Sequence, residues 1–434
     1  MKTFPLAPQG VGAAVCAVLV SLAFAGTARA DDEASTSGGL KIKSSDGAFE
    51  GSLGGRLQFD AVMLEPDNGS GIGSDKVENN SGSYFRRVYI QLEGRAYDWS
   101  YKLHYGVSSG GGGTGSSNSL QDVWLSHSVL VPESTIYIGQ HKPWRSIEEI
   151  GSNNQALFME RPVTSANGIY GGHDYTQGLY YAYADQTWFG GVSAYLLNRD
   201  GTGSSEGTGG NARLVWSPIN DSGRLLHLGL SYSSDHADNT ANASQALSAS
   251  YRYGGYRLGS GSVTQTFASY GAGPSPSQDT IGAEFAGVYG PAYLNAEFAS
   301  AKFEQDGKPS STVDAAYVQA SWFLTGESKA YSIKEHVIGN PKPKNRNGAI
   351  ELKLRYEMMR NTDVDASQSL GCNITQGPST GVDDCRYSGW TTGVNYYPNP
   401  AMRIMLDYMR STADLGSAGK DEPDTIAARV QIVY

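Results

Sequence analysis

Between Lys142 and Gly172 the chain gathers Lys142, Arg145, Glu148, Glu149, Ser152, Asn153, Glu160 and Arg161. Guanidinium, ammonium, hydroxyl and amide donors in one stretch have the chemistry to hold an oxyanion, which takes several donors in a fork or ring. A carboxylate in the same ring opposes it. Covalent catalysis is poorly supported. Gly203–Gly207 formally reads G-x-S-x-G, but it sits in GTGSSEGTGG rather than in the strand–turn–helix setting that a nucleophilic serine requires. His173-Asp174 is an adjacent pair with no oriented nucleophile. HExxH, Walker A and dinucleotide fingerprints are missing from the sequence, so no metal and no cofactor are expected. Cys372 and Cys385 bracket the polar segment CNITQGPSTGVDDC. In an exported chain this spacing reads as a loop disulfide, with free thiols as the alternative. A zinc site would need further ligands, and no other Cys or His lies close by.

Export is read from the N-terminus. Lys2, the apolar run Val11–Gly26 and Ala28-Arg29-Ala30 before Asp31 have the order of a secretory signal peptide. Residues 1–30 are therefore expected to be removed, leaving 31–434 as one domain. The run is too short to span a bilayer as a helix, and the mean hydropathy of −0.37 speaks against a multi-helix membrane protein. Glycine is abundant at 55 of 434 residues and tyrosine at 27, while charged residues are only 18%. That balance rules out long charged helices and coiled coils. A net charge of −10 without a basic stripe excludes nucleic acid as a partner.

The elements that must position the charged residues are strands. In Leu53–Met63, Leu53, Leu57, Phe59, Ala61 and Met63 share one face and Ser52, Arg56, Gln58 and Asp60 the other. Val88, Ile90 and Leu92 oppose Arg87, Tyr89, Gln91 and Glu93. Tyr101, Leu103 and Tyr105 oppose Lys102 and His104. The same period of two returns at 350–358, at 402–408 and at the C-terminal RVQIVY. A soluble sandwich also alternates, but it does not usually place Tyr and Trp at both ends of the apolar face or end the chain on an aromatic strand. Long and short connections also alternate, as in outer-membrane barrels. The expected fold is all-β: a transmembrane antiparallel β-barrel of 16 strands, or 18 if the weak alternation across Leu247–Ser269 forms a wall hairpin. Closure follows because lipid cannot satisfy an open sheet edge. The exception to the loop pattern is Thr325–Asn347, long where a short turn is expected. Its Lys329, Lys334, Lys342, Lys344 and Arg346 read as an ordinary solvated loop, with recruitment of phosphate or contact with lipid headgroups as the alternative.

Several stretches carry a family resemblance: LGGRLQFDA (53–61), YFRRVYIQLEG (84–94), IGQHKPW with SIEEI (138–150), MERP (159–162), WFLTGES (322–328), GAIELKLRY (348–356) and GVNYYPNP (393–400). In this order and spacing the chain resembles the phosphate-selective porin O and P family over its whole mature length. The resemblance implies a sixteen-stranded bacterial outer-membrane barrel, usually a homotrimer, with 247–269 in an extracellular loop and 142–172 folded inward as the constriction. It places Arg161 on a phosphate-contacting arginine, Ser152 and Asn153 on a serine pair, and Glu149 on a lysine, a charge reversal. Asp122 matches an acid on the fourth strand, and Arg56 and Arg87 match pore-facing arginines. Arg252 and Arg257 are what remains here of a denser arginine ladder. The anion path expected from these matches comprises Arg56, Arg87, Asp122, Lys142, Arg145, Glu149, Ser152, Asn153, Arg161, Arg252 and Arg257, with Cys372–Cys385 as the disulfide. The function implied is a passive, non-enzymatic channel for small neutral or anionic solutes with a modest preference for anions such as phosphate. The expected partners are these solutes, outer-membrane lipid and two further copies of the chain. A barrel enzyme and an adhesin with a plugged lumen are the alternatives.

Overall fold

The computed structural model describes residues 33–35, 40–65, 81–109, 119–128, 131–165, 168–170, 175–197, 207–237, 247–257, 264–270, 275–363, 372–374 and 382–434. The signal-peptide residues 1–30, the His173-Asp174 pair and all of the 203–207 motif except Gly207 lie outside these. Sixteen antiparallel strands form the wall: β1 (Phe49–Glu65), β2 (Ser81–Ala96), β3 (Trp99–Ser109), β4 (Ser119–Ser128), β5 (Ser134–His141), β6 (Thr176–Ala184), β7 (Trp188–Leu196), β8 (Thr208–Asp221), β9 (Arg224–His236), β10 (Ser277–Tyr289), β11 (Ala292–Glu304), β12 (Ser311–Phe323), β13 (Ala349–Asn361), β14 (Arg386–Asn399), β15 (Met402–Asp414) and β16 (Asp424–Val433). Each pairs with the next, and β16 pairs with β1 from Asp424↔Glu65 to Val433↔Arg56. The seam is completed by Tyr434: the Gly55 amide donates to its carbonyl at 2.8 Å, and its own amide donates to the Gly55 carbonyl at 3.1 Å.

The period of two becomes two environments. Leu53, Phe59, Met63, Ile90, Leu230, Ile281, Leu354 and Leu406 stand outward and exposed, while Arg56, Gln58, Asp60, Tyr89, Arg355 and Asp407 are buried on the inner face. Trp99, Trp188, Trp216, Trp322, Trp390, Tyr289 and Tyr408 join the outer face. An outward apolar face with aromatic residues is what a lipid-spanning barrel requires. The structure thus resolves the strand count in favour of 16. Residues 247–252 and 264–270 do pair with each other, but as a hairpin separate from the wall sheet. Leu247, Ala249, Tyr251, Phe267, Ala268 and Tyr270 are buried against inner-face residues such as Met405 and Met409. Ser248, Ser250, Arg252, Thr264 and Thr266 alternate with these and are only half-buried, so the hairpin turns its apolar face to the protein interior.

The stretch 325–347 departs from the solvated-loop expectation. From the short-turn end it folds back into the barrel, with Ala330–Ser332 pairing to Val337–Gly339. Lys329 reaches Glu351 at 2.7 Å, and neither side chain is exposed. Arg213 donates to the carbonyls of Glu335 at 2.8 Å and His336 at 3.1 Å. Of the basic residues only Lys329 is buried; Lys334, Lys342, Lys344 and Arg346 are exposed, as a solvated loop requires.

Candidate functional site: a constricted cationic passage

From β5 the chain turns into the lumen. Ser146 caps the short helix α1 (Ile147–Ile150), its Oγ accepting from the Glu149 amide at 3.3 Å. Inner-face carboxylates hold the loop by its backbone. Glu284 accepts from the Ile147 amide, Glu297 from Glu148 at 3.0 Å, Asp407 from Met159 at 3.0 Å and Glu357 from Val163 at 3.1 Å. Cationic neighbours take the loop carbonyls: Arg403 at Ala156 (2.8 Å), Lys353 at Leu157 (3.1 Å), Arg429 at Met159 (2.7 Å) and Arg355 at Glu160 (3.0 Å). Phe158 lies under both Lys353 and Arg355, at 4.7 and 4.4 Å. Buried backbone groups without partners would be costly. The acids and bases of β10–β16 satisfy them and pin the loop to that side of the barrel.

The passage lies on the opposite side, between the loop and β1–β5. A cavity of about 550 Å³ there is lined by Arg56, Asp122, Lys142, Ser152 and Asn153, together with Lys102, His104, His141, Asn154 and Tyr175. Arg56 donates to Asn154 Oδ1 at 2.8 Å and lies 4.5 Å from the centre of the Tyr89 ring. Arg161 donates to the Gly151 carbonyl, and its Nε has no hydrogen-bond partner. Lys142 donates to the Glu149 carbonyl at 2.6 Å and faces the Tyr175 ring at 5.4 Å. Neither Arg161 nor Arg87 lines the cavity itself; Arg87 donates to Gln58 Oε1 at 2.9 Å. Further along, Arg252 approaches Glu160 at 3.4 Å, and Arg257 lies close to Arg86 and Arg252. Burial, followed by those two guanidiniums, lowers the Arg257 pKa to about 10. Arg145 and Glu149 lie apart from the cavity: Arg145 is fully buried 5.9 Å from the Tyr195 ring, with Glu149 among its charged neighbours.

Strict alternation turns Arg87 inward and leaves Arg86 for the lipid. A β-bulge changes this. Gln58 pairs with Arg87 and Phe59 with Phe85, so Arg86 is skipped and both guanidiniums are buried inside. Re-aiming a side chain is what a bulge does to a strand. Arg86 meets Glu160 at 2.9 Å. Burial works against the Glu160 charge, but Arg86, then Arg252 and Arg87, outweigh it and hold the carboxyl well below its usual range. The tandem arginine in YFRRVY carried the signal, because a lone guanidinium facing hydrocarbon is too costly to leave there. The disulfide Cys372–Cys385 is present, and its segment pairs with the lumen hairpin through Gln265↔Ile374 and Thr266↔Asn373.

A closed sixteen-strand barrel with an apolar outside, a polar inside and an inward loop defines an outer-membrane porin. Residues 52–434 match the family model described as phosphate-selective porin O and P, and the chain belongs to that family. It is 27% identical to Porin O of Pseudomonas aeruginosa, over 98% of both chains. Solved structures with the same fold include the outer membrane channel DcaP of Acinetobacter baumannii, with a TM-score of 0.56 and 12% identity over 90% of this chain and 99% of that one. An anion-selective porin from Comamonas acidovorans matches with a TM-score of 0.53 and 10% identity, over 89% of this chain and 100% of the other. The protein is thus an outer-membrane channel.

Proposed function

We propose that the channel passes small hydrophilic solutes and favours anions, phosphate among them, with Arg56, Arg87, Arg161 and Lys142 as the principal attracting groups. What supports this reading is a cavity lined by Arg56, Lys102 and Lys142, with Arg161 near Arg56, in which Asp122 is already paired with Lys102 at 3.0 Å and Glu93 and Glu335 are the other acids. A pore selects by the charges at its narrowest ring. Arg252 and Arg257 would guide anions toward that ring, while Ser152 and Asn153 would offer it polar contacts. The family match supports a channel over an enzyme. The working form is a homotrimer embedded in outer-membrane lipid, a reading supported by the apolar outer face and by the resemblance. Reversal potentials in planar bilayers under a salt gradient, with and without phosphate, test the proposal. An anion-selective potential with phosphate slowing the chloride current is expected, and cation selectivity would overturn it.

A further inference from the structure

Two histidines on the passage wall, His104 and His141, take no part in the anion attraction proposed above. Asp122 on β4 stands between two imidazoles. His141, at the end of β5, places Nδ1 2.7 Å from Asp122 Oδ1, and His104 on β3 places Nδ1 3.8 Å from Asp122 Oδ2. Lys102 holds the same carboxylate at 3.0 Å. All four side chains line the cavity that Arg56 and Lys142 face. His141 Nδ1, at that distance from a carboxylate oxygen, serves as a donor, which leaves Nε2 to gain or lose the proton. His141 Nε2 and His104 Nδ1 have no hydrogen-bond partner, although both are buried.

We infer that His104 and His141 are selectivity-determining residues that make the anion preference of the passage depend on pH. With both imidazoles neutral, the carboxylate of Asp122 is balanced one-for-one by Lys102. Each proton taken up adds a positive charge to this wall with no new acid to compensate it. The surroundings contain little that would cancel the change. Tyr89 meets the His104 ring edge-on at 4.8 Å, and Arg56 is its nearest charge from β1. Trp124, Tyr137, Trp144 and Tyr180 enclose His141 at 5.1–6.0 Å. Beyond them lie Lys142 on the loop, Arg145 beside Tyr180, and Glu335 of the inward connector beside Tyr137. Imidazole is the side chain whose charge ordinarily changes between pH 5 and 8. On the wall of this cavity, an added unit charge acts on a passing ion at short range and at an effective dielectric below that of water.

The inference rests on the anion-passing reading, and the two fail separately. Selectivity at pH 7.5 tests that reading, whereas only the change with pH tests this one. The experiment is the reversal potential of the full-length channel in uncharged-lipid bilayers under a KCl gradient, at pH 7.5 and at pH 5.0. Chloride is used because its charge does not change with pH. The chloride-to-potassium permeability ratio should rise about threefold at the lower pH. The double variant His104→Gln/His141→Gln should lose that rise while still conducting, and each single variant should lose part of it. If the double variant does not insert, the single variants decide. A wild-type ratio that is the same at both pH values overturns the inference. So does a rise that survives the substitutions, which would assign it to protonation of acids such as Glu93 or Glu335.

Discussion

Arg161 is held by a single backbone carbonyl, and its Nε is unpartnered. A cation so lightly compensated beside a narrow passage attracts a passing anion by roughly 2–3 kcal/mol at an effective dielectric near 20. Arg161→Ala should therefore shift the reversal potential several-fold toward cations while the channel still conducts. Glu160 behaves differently because it joins Arg86, Arg252 and, at 3.9 Å, Arg429. Glu160→Gln leaves buried guanidiniums uncompensated, at a cost of about 3–5 kcal/mol. The same change adds net positive charge to the lumen. A lower thermal midpoint together with a higher chloride-to-potassium ratio is expected, and a change in only one of the two would show that Glu160 does not couple wall stability to selectivity. At this scale the sequence was partly legible. The inward sides of Arg56 and Arg87 followed from alternation. Arg86 did not, because a bulge is a local break in the period that alternation relies on. The turning of Arg145 and Glu149 away from the cavity was also hidden, because it depends on how one short capped helix is rotated against β7 and β10.

The segments that enter the lumen are secured by different chemistry. The strands 247–252 and 264–270 are held by Cys385, whose Sγ contacts the Thr266 carbonyl at 3.6 Å, and by Asn361 of β13, which donates to the Phe267 carbonyl at 2.7 Å. The closed segment is short, so the disulfide contributes ~3 kcal/mol at most to stability. Its larger effect should be on motion. Reduction, or Cys372→Ser with Cys385→Ser, should leave the barrel folded but increase current noise in single-channel records, because Arg252 and Arg257 ride on the hairpin it clasps. Unchanged noise would mean that the hairpin is held by its tyrosines alone. The inward connector 324–348 carries a pH-sensitive group of its own. His336 contacts the Asp185 carbonyl at 2.9 Å and Ser217 at 3.2 Å. Burial, with Arg213 nearby, lowers its imidazole to about 4. An unfolded chain binds that proton near pH 6.5 and the folded one only near 4, so stability falls as pH drops through this interval. The thermal midpoint should decrease from pH 7.5 to 5, and His336→Gln should reduce the decrease. No local pattern announced the inward fold of the connector, because Arg213, which holds the Glu335 and His336 carbonyls, comes from the distant strand β8.

At the scale of the whole molecule, the wall was the most legible part, since every residue in it meets either lipid or the lumen and the two demand opposite chemistry. Only the strand number stayed open, because a hairpin packed inside a barrel also alternates. The outer face predicts behaviour in detergent. Without boiling, the protein should migrate as an oligomer rich in β-structure and convert to an unfolded monomer band on heating; recovery as a soluble monomer would contradict the trimer. The seam between β16 and β1 has one more consequence. β16 and Tyr434 complete the hydrogen bonds of β1, so the described wall has no free edge between its first and sixteenth strands. A product cut short by even one strand would keep two raw edges, which hydrocarbon does not tolerate. Closure therefore makes the wall all-or-none: without its seam strand the sheet is no partial pore but an open edge that lipid rejects.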